Sequence, residues 1–198
     1  MKPTLVLASG SPRRRDLLAA LGLDFVVRPA DLDETPLPNE PPAEYVARLA
    51  REKARADARP LELVLAADTT VVLDGEVLGK PGDDTEARDM LGRLAGRAHL
   101  VLSGIALYDS AADREAVFVD ATEVEIAPLS PAEIAWYVAT GEPMDKAGSY
   151  AAQGLGSLFV TRVAGNFYNV VGLPVPALYR LCAELGHDLL RFRSGGPR

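Results

Sequence analysis

An α/β fold with a mixed sheet is predicted for this chain by three features. Short apolar runs, the mark of buried strands, alternate with stretches of helical apolar spacing. Two longer runs, around residues 100–108 and 116–126, alternate apolar and polar residues as antiparallel neighbours do. Proline and glycine punctuate the segments between. With 198 residues and no clean linker, residues 1–190 read as one domain, and the aperiodic tail 191–198 is expected to fray.

The elements follow in order. Leu5, Val6, Leu7 and Ala8 form a buried strand, and Ser9-Gly10-Ser11 turns out of it. Pro12 then opens a helix carrying Leu17, Leu18 and Leu21; its missing N–H costs nothing at the first helical position. Phe25, Val26 and Val27 read as a second strand. Residues 29–42 are proline-rich and acidic, with Asp31, Asp33 and Glu34, and are expected to be an ordered loop. A helix over 44–58 buries Val46, Leu49 and Ala50 and turns Arg48, Arg51, Glu52 and Arg55 outward.

Leu63 to Ala67 are all apolar and predict a central strand that ends in Asp68-Thr69-Thr70. Asp74-Gly75 suits a tight hairpin between Val71-Val72-Leu73 and Val77-Leu78. A helix opens near Asp83, with Glu86 spaced for a capping box, and stops near Gly96. Ser130-Pro131-Ala132-Glu133 is a second capping box, with Gly141 closing that helix. A glycine-rich loop over 146–156, a strand at Leu158-Phe159-Val160 and a last helix over 175–185 complete the pattern.

Composition narrows the function classes. A formal net charge of −7 argues against non-specific binding to nucleic acid or an anionic membrane. No apolar stretch is long enough to span a bilayer. The single cysteine, Cys182, cannot form an internal disulfide, fits a reducing cytosol, and sits in a helical pattern with Leu178, Leu181 and Leu185 as a core residue. His99 and His187 lie far apart without metal-ligand spacing and read as structural.

The chemistry gathers at turns. Free N–H groups at the helix start after Ser11 form an anion site, Ser9 and Ser11 add hydroxyl donors, and Arg13, Arg14 and Arg15 add planar forks suited to phosphate. Positive charge opposes the helix dipole there unless an anion sits between. Asp68 follows an apolar strand, at the sheet edge where α/β proteins open ligand crevices. Lys80 stands in Leu78-Gly79-Lys80-Pro81, and Lys146 follows Asp145. Carboxylates of this kind hold Mg²⁺ or Mn²⁺ beside phosphate oxygens, and lysines and arginines neutralise the remaining charge. There is no hydrolase triad and no Gly-Lys-Ser/Thr phosphate loop.

Ser9-Gly10-Ser11-Pro12-Arg13-Arg14, Asp33-Glu34-Thr35, Arg51-Glu52-Lys53-Ala54, Ala67-Asp68-Thr69, Leu78-Gly79-Lys80-Pro81, Asp145-Lys146-Ala147-Gly148-Ser149-Tyr150, Gln153-Gly154 and Val171-Gly172-Leu173-Pro174 stand in one order over nearly the whole chain. In that order they resemble the Maf family, linked to septum formation in bacteria. The resemblance implies an elongated mixed sheet in two lobes around a cleft, like inosine triphosphate pyrophosphatase. It further implies hydrolysis of a nucleoside triphosphate to monophosphate and pyrophosphate with a divalent metal, and a homodimer.

Within that family, Arg13, Thr69 and Gln153 resemble the branch selective for dTTP and UTP. The branch active on 7-methyl-GTP carries tryptophan, glutamine and glutamate there. One departure is Ala151, where many relatives have glycine after the tyrosine. A glutamine amide offers one donor and one acceptor to the O4 and N3–H edge of uracil or thymine.

Resemblance and chemistry together make Asp68 a general base or metal-organising carboxylate, Glu34 the second carboxylate and Lys80 a catalytic cation. Asp68 and Glu34 are the expected metal ligands. Ser9, Ser11, Arg13, Arg14, Lys53, Thr69 and Gln153 are expected to bind substrate. Asp145 and Lys146 suit either direct binding or an ion pair that holds the loop. Canonical and modified pyrimidine nucleotides remain open as substrates. Two other classes remain open as well: a non-catalytic nucleotide-binding regulator of cell division, and a nucleotidyltransferase, which would need a second substrate before releasing pyrophosphate.

Overall fold

The computed structural model describes residues 3–193. Seven strands form one mixed sheet: β1 (Thr4–Leu7), β2 (Val26–Val27), β3 (Glu62–Leu73), β4 (Glu76–Leu78), β5 (Ala98–Asp109), β6 (Arg114–Ile126) and β7 (Val160–Ala164). Their order is β2-β1-β3-β5-β6-β7, with β4 paired to β3. The helices are α1 (Pro12–Ala20), α2 (Pro42–Ala56), α3 (Asp84–Leu94), α4 (Pro131–Ala139), α5 (Phe167–Val171) and α6 (Val175–Glu184). This is the mixed α/β sheet with flanking helices that the alternation predicts.

The chain divides into two compact units, and the division falls within β3, β5 and β6. Among the described residues, the first unit runs to Asp68 and adds Ser103–Asp120 and the chain from Gly172 to Arg193. Here β1 pairs in parallel with both β2 and β3, so its ends are joined to theirs by crossovers through α1 and α2. Leu5 and Leu7 face one side, where they pack with Leu63, Leu65, Leu18 of α1, and Leu178, Leu181 and Cys182 of α6. Val6 and Ala8 face the other, with Val64, Ala66, and Ala50 and Ala54 of α2. A strand covered on both faces reads as an unbroken apolar run rather than an alternating one.

The second unit comprises Thr69–Leu102 and Ala121–Val171. Its core joins Val71, Leu73 and Leu78 to Ala87, Leu91 and Leu94 of α3, and to Val124, Ile126, Tyr137 and Phe159. The β3–β4 hairpin turns at Asp74-Gly75, both left-handed at φ 53° and 84°, as the sequence predicts. The Ser130–Glu133 capping box is present on α4. On α3 the Asp83 carboxylate accepts from the N–H groups of Thr85 and Glu86. Glu86 instead reaches back to the Gly82 N–H at 2.7 Å, so the expected reciprocal box is displaced by one residue.

Three further expectations are corrected. β3 does not end at Asp68 but continues to Leu73, because pairing with β4 carries its ladder on and a partner for the Asp68 charge lies beside it. The strand expected at Leu158 begins at Val160, since Gly154–Leu158 coil into a 3₁₀ turn. The tail does not fray from residue 191. Leu189–Phe192 form a 3₁₀ turn, Phe192 is buried, Asp24 N–H donates to the Phe192 carbonyl, and Arg193 bridges to Leu23. Residues 194–198 of that predicted tail lie outside the described residues.

Candidate active site

Helix α2 carries the centre of the site. Lys53 lies on its buried face, 8 % exposed, and its ammonium donates to Asp68 Oδ1 at 2.7 Å. The same nitrogen lies 2.6 Å from Glu34 Oε1. One buried cation thus gathers two carboxylates from separate parts of the chain. Asp68 sits inside β3 and is itself 8 % exposed, whereas the Glu34 carboxylate is half in solvent. A buried charge is costly unless paired, and this pairing explains how a carboxylate stands in the middle of a strand.

The turn after β1 supplies the second group of residues. Ser9 is buried, and its Oγ accepts from the Ser11 N–H at 3.2 Å and from Arg14 Nη1 at 3.0 Å. Arg14 Nε donates to the Gly172 carbonyl at 2.8 Å, tying the turn to the segment before α6. Burial lowers the Arg14 pKa, the Asp68 charge opposes that shift, and Arg13 adds to it. Arg13 and Ser11 are partly buried beside this turn. Ser11 caps α1 with its backbone alone, so its hydroxyl makes no capping bond to the helix N–H groups.

Thr69, Lys80 and Gln153 belong to the second unit. Thr69 follows Asp68 in β3 and is partly buried. Lys80 is exposed just after β4, next to Gly79, whose carbonyl accepts from the Gly148 N–H at 3.0 Å. Gln153 is exposed at the start of the Gly154–Leu158 turn, and its side chain caps nothing there. Lys146 is engaged within its own loop, donating to Asp145 Oδ1 and to the Glu142 carbonyl at 2.5 and 2.6 Å. That geometry matches an ion pair holding the loop.

The family model for Maf-like proteins matches residues 4–185. The chain belongs to the Maf family. Among its relatives, a protein of Anaeromyxobacter sp. (strain Fw109-5) is 56% identical over 98% of this chain and 95% of its own length. One of Anaeromyxobacter dehalogenans (strain 2CP-C) is 58% identical over 96% and 97%. One of Symbiobacterium thermophilum is 49% identical over 96% and 98%. Each of the three is named dTTP/UTP pyrophosphatase.

In this Maf chain the proline-rich loop is held by residues that the sequence reading passed over. Tyr45 donates its hydroxyl hydrogen to the Glu34 carbonyl at 3.0 Å. Burial, together with the Asp68 and Glu34 charges, pushes the Tyr45 phenol up to about 12. Arg48 forks onto Glu40 at 2.6 and 2.8 Å, holding that carboxyl down at about 2, and also reaches the Thr35 carbonyl. Tyr45 and Lys53 are eight residues apart, about two helical turns, so both stand on one side of α2. That spacing was the available signal. The helical spacing places Arg48 on the outward face, and there it meets the loop.

The donor set at Lys53 also bears on a metal. Asp68 and Glu34 both turn an oxygen to the Lys53 ammonium, and as oxygen-only donors they are of the type that suits a hard divalent ion beside phosphate oxygens. Among the described residues no three His, Cys, Asp or Glu side chains come together.

Histidines and cysteine take structural places. His99 Nε2 meets the Tyr150 hydroxyl at 2.8 Å, and burial lowers its pKa to about 4. His187 pairs with Asp109. Cys182 is buried, and burial pushes its thiol up to about 12, far from the reactive range.

Proposed function

We propose that this Maf protein hydrolyses dTTP and UTP to the nucleoside monophosphate and pyrophosphate. The observation that carries the reading is full-length likeness, at 49–58% identity, to proteins named dTTP/UTP pyrophosphatase. The Lys53, Asp68 and Glu34 cluster supports it, because converging carboxylates beside a buried cation suit water activation next to phosphate.

In this reading, Ser9, Ser11, Arg13 and Arg14 bind triphosphate oxygens at the start of α1, and Lys80 adds positive charge. Lys53 holds Asp68 and Glu34 in place and contacts the substrate phosphates. Asp68 accepts a proton from the attacking water. The new bond joins the water oxygen to the α-phosphorus, the α–β bridging P–O bond breaks, and pyrophosphate leaves. A divalent cation held by Asp68 and Glu34 supplies charge neutralisation for the triphosphate when bound. Thr69 and Gln153 are assigned to the base. The same reading makes the enzyme cytoplasmic, in keeping with its one buried thiol, and homodimeric.

The test is a panel of nucleoside triphosphates assayed for both products, with Mg²⁺ or Mn²⁺ as the only additive. Monophosphate and pyrophosphate in equal amounts from UTP and dTTP are expected. Release of inorganic phosphate instead, or a requirement for a second substrate, overturns the assignment. Excess chelator is expected to abolish turnover, and added Mg²⁺ or Mn²⁺ to restore it. Full turnover in chelator, with no metal by elemental analysis, removes the metal from the reading.

Base choice has its own measurement. Gln153→Glu replaces an amide donor with a carboxylate, so O4 of uracil loses a partner while the cytosine amino group gains one. The UTP-to-CTP ratio of kcat/KM is expected to fall by roughly tenfold to a hundredfold. If both rates drop together at a constant ratio, Gln153 does not read the base.

A further inference from the structure

Gln153 is exposed and its side chain makes no hydrogen bond or ion pair among the described residues, yet the backbone around it is held on both sides. Two residues before it, the Ala151 N–H donates to the Tyr137 hydroxyl oxygen at 3.1 Å. Two residues after it, the Leu155 N–H donates to Glu142 Oε2 at 3.0 Å, and the Gly156 N–H to Glu142 Oε1 at 2.9 Å. Tyr137 and Glu142 are themselves joined, the phenol donating to Oε1 at 2.9 Å. One phenol and one carboxylate therefore close residues 151–156 into a loop with Gln153 near its tip.

Close packing tightens that neck. A Cβ on Gly156 would overlap both the Ala151 carbonyl and the Tyr137 hydroxyl. Gly154 is left-handed at φ +71°, and a Cβ there would stand 2.7 Å from Glu142 Oε2. Burial pushes the Glu142 pKa up, but the N–H groups of Gly156 and Leu155 and the Tyr137 phenol outweigh this and leave it below the usual range. Tyr137 is wholly buried, so its hydroxyl has no solvent to turn to. A pinned backbone that presents an unengaged amide is preorganised to read a ligand edge, since the ordering entropy is spent before binding.

We propose that Tyr137 and Glu142 are specificity-positioning residues, which set the selectivity for the pyrimidine base by fixing the loop that carries Gln153. The proposal rests on the assignment of Gln153 as the base reader, and the experiment separates the two. kcat/KM for UTP and CTP is measured in the wild type, in Tyr137→Phe and in Gln153→Glu, with melting temperature as a check on folding. Tyr137→Phe removes one oxygen, which leaves the Ala151 N–H without its partner and takes one donor from Glu142. It is expected to lower the UTP-to-CTP ratio by about threefold to tenfold, as the amide loses its fixed angle. Glu142→Gln, nearly isosteric, is a second variant. Its amide nitrogen cannot accept from the loop N–H groups, so it should shift the ratio in the same direction. A merely structural role would lower the melting temperature and both rates together, at a constant ratio. A shifted ratio in Gln153→Glu with a constant one in Tyr137→Phe and Glu142→Gln overturns the proposal and leaves Gln153 as the reader. Constant ratios in all three variants overturn both.

Discussion

Asp68→Asn is expected to lower turnover of UTP about a hundredfold or more while the protein stays folded. The amide has nearly the same shape, its oxygen can still accept from Lys53, and Lys53 keeps Glu34 as a charged partner at 2.6 Å. What is lost is the basic oxygen that would take the proton from water. Affinity for the nucleotide should fall far less, because Ser9, Arg13 and Arg14 remain around the turn after β1. The measurement is kcat from pyrophosphate release, set beside the dissociation constant of a non-hydrolysable UTP analogue. Near-normal kcat in a folded Asp68→Asn protein would exclude Asp68 from the chemistry.

Gly104→Ala is expected to destabilise the protein by about 3 kcal/mol, or roughly 10 °C in melting temperature. Gly104 lies on β5 where the backbone of α2 rests directly on it: a Cβ would overlap the Val46 carbonyl and stand 2.8 Å from the Ala47 nitrogen. The obstacle is main chain, so no side-chain rotation relieves it. Helix α2 must shift, and it carries Tyr45, Arg48 and Lys53, so activity should fall along with stability. Gly92→Ala is the control of opposite sign. Gly92 lies inside α3 with open space where a Cβ would stand, and alanine there should stabilise by about 0.5–1 kcal/mol. A Gly104→Ala protein as stable as the wild type would contradict this packing.

The candidate site was legible in unequal measure. The turn from Ser9 to Pro12 announces itself, because strand, small residues, proline and arginines are consecutive and each limits the backbone locally. Lys53 is expected among the substrate-binding residues, although Arg51-Glu52-Lys53 by itself also fits a solvated helix face. The structure shows it buried, with a carboxylate on either side. Glu34 was reached through the family resemblance and not through its own surroundings. Its place depends on Tyr45 and Arg48 gripping the proline-rich loop, contacts that span eight to thirteen residues and leave no mark in composition.

The sequence by itself determined the features set by neighbouring residues. Pro12 at the first position of α1, the Asp74-Gly75 turn and the Ser130–Glu133 box each depend on a few dihedrals and one or two local hydrogen bonds. The unbroken apolar runs of β1 and β3 likewise announced strands covered on both faces. Only the tertiary structure decided where a local rule yields to a distant partner. Asp68 looks like a strand end, yet β3 runs through it, because Lys53 on α2 compensates a charge that could not otherwise be buried. Arg191 to Arg193 look like a loose tail, yet Phe192 is buried in the first unit's core and the chain bonds to Leu23 and Asp24. Glu142 looks like a surface acid after a helix, yet it collects the N–H groups of a loop more than ten residues away. In each case the deciding term is the desolvation of a polar or apolar group, and its size depends on what the folded chain brings alongside.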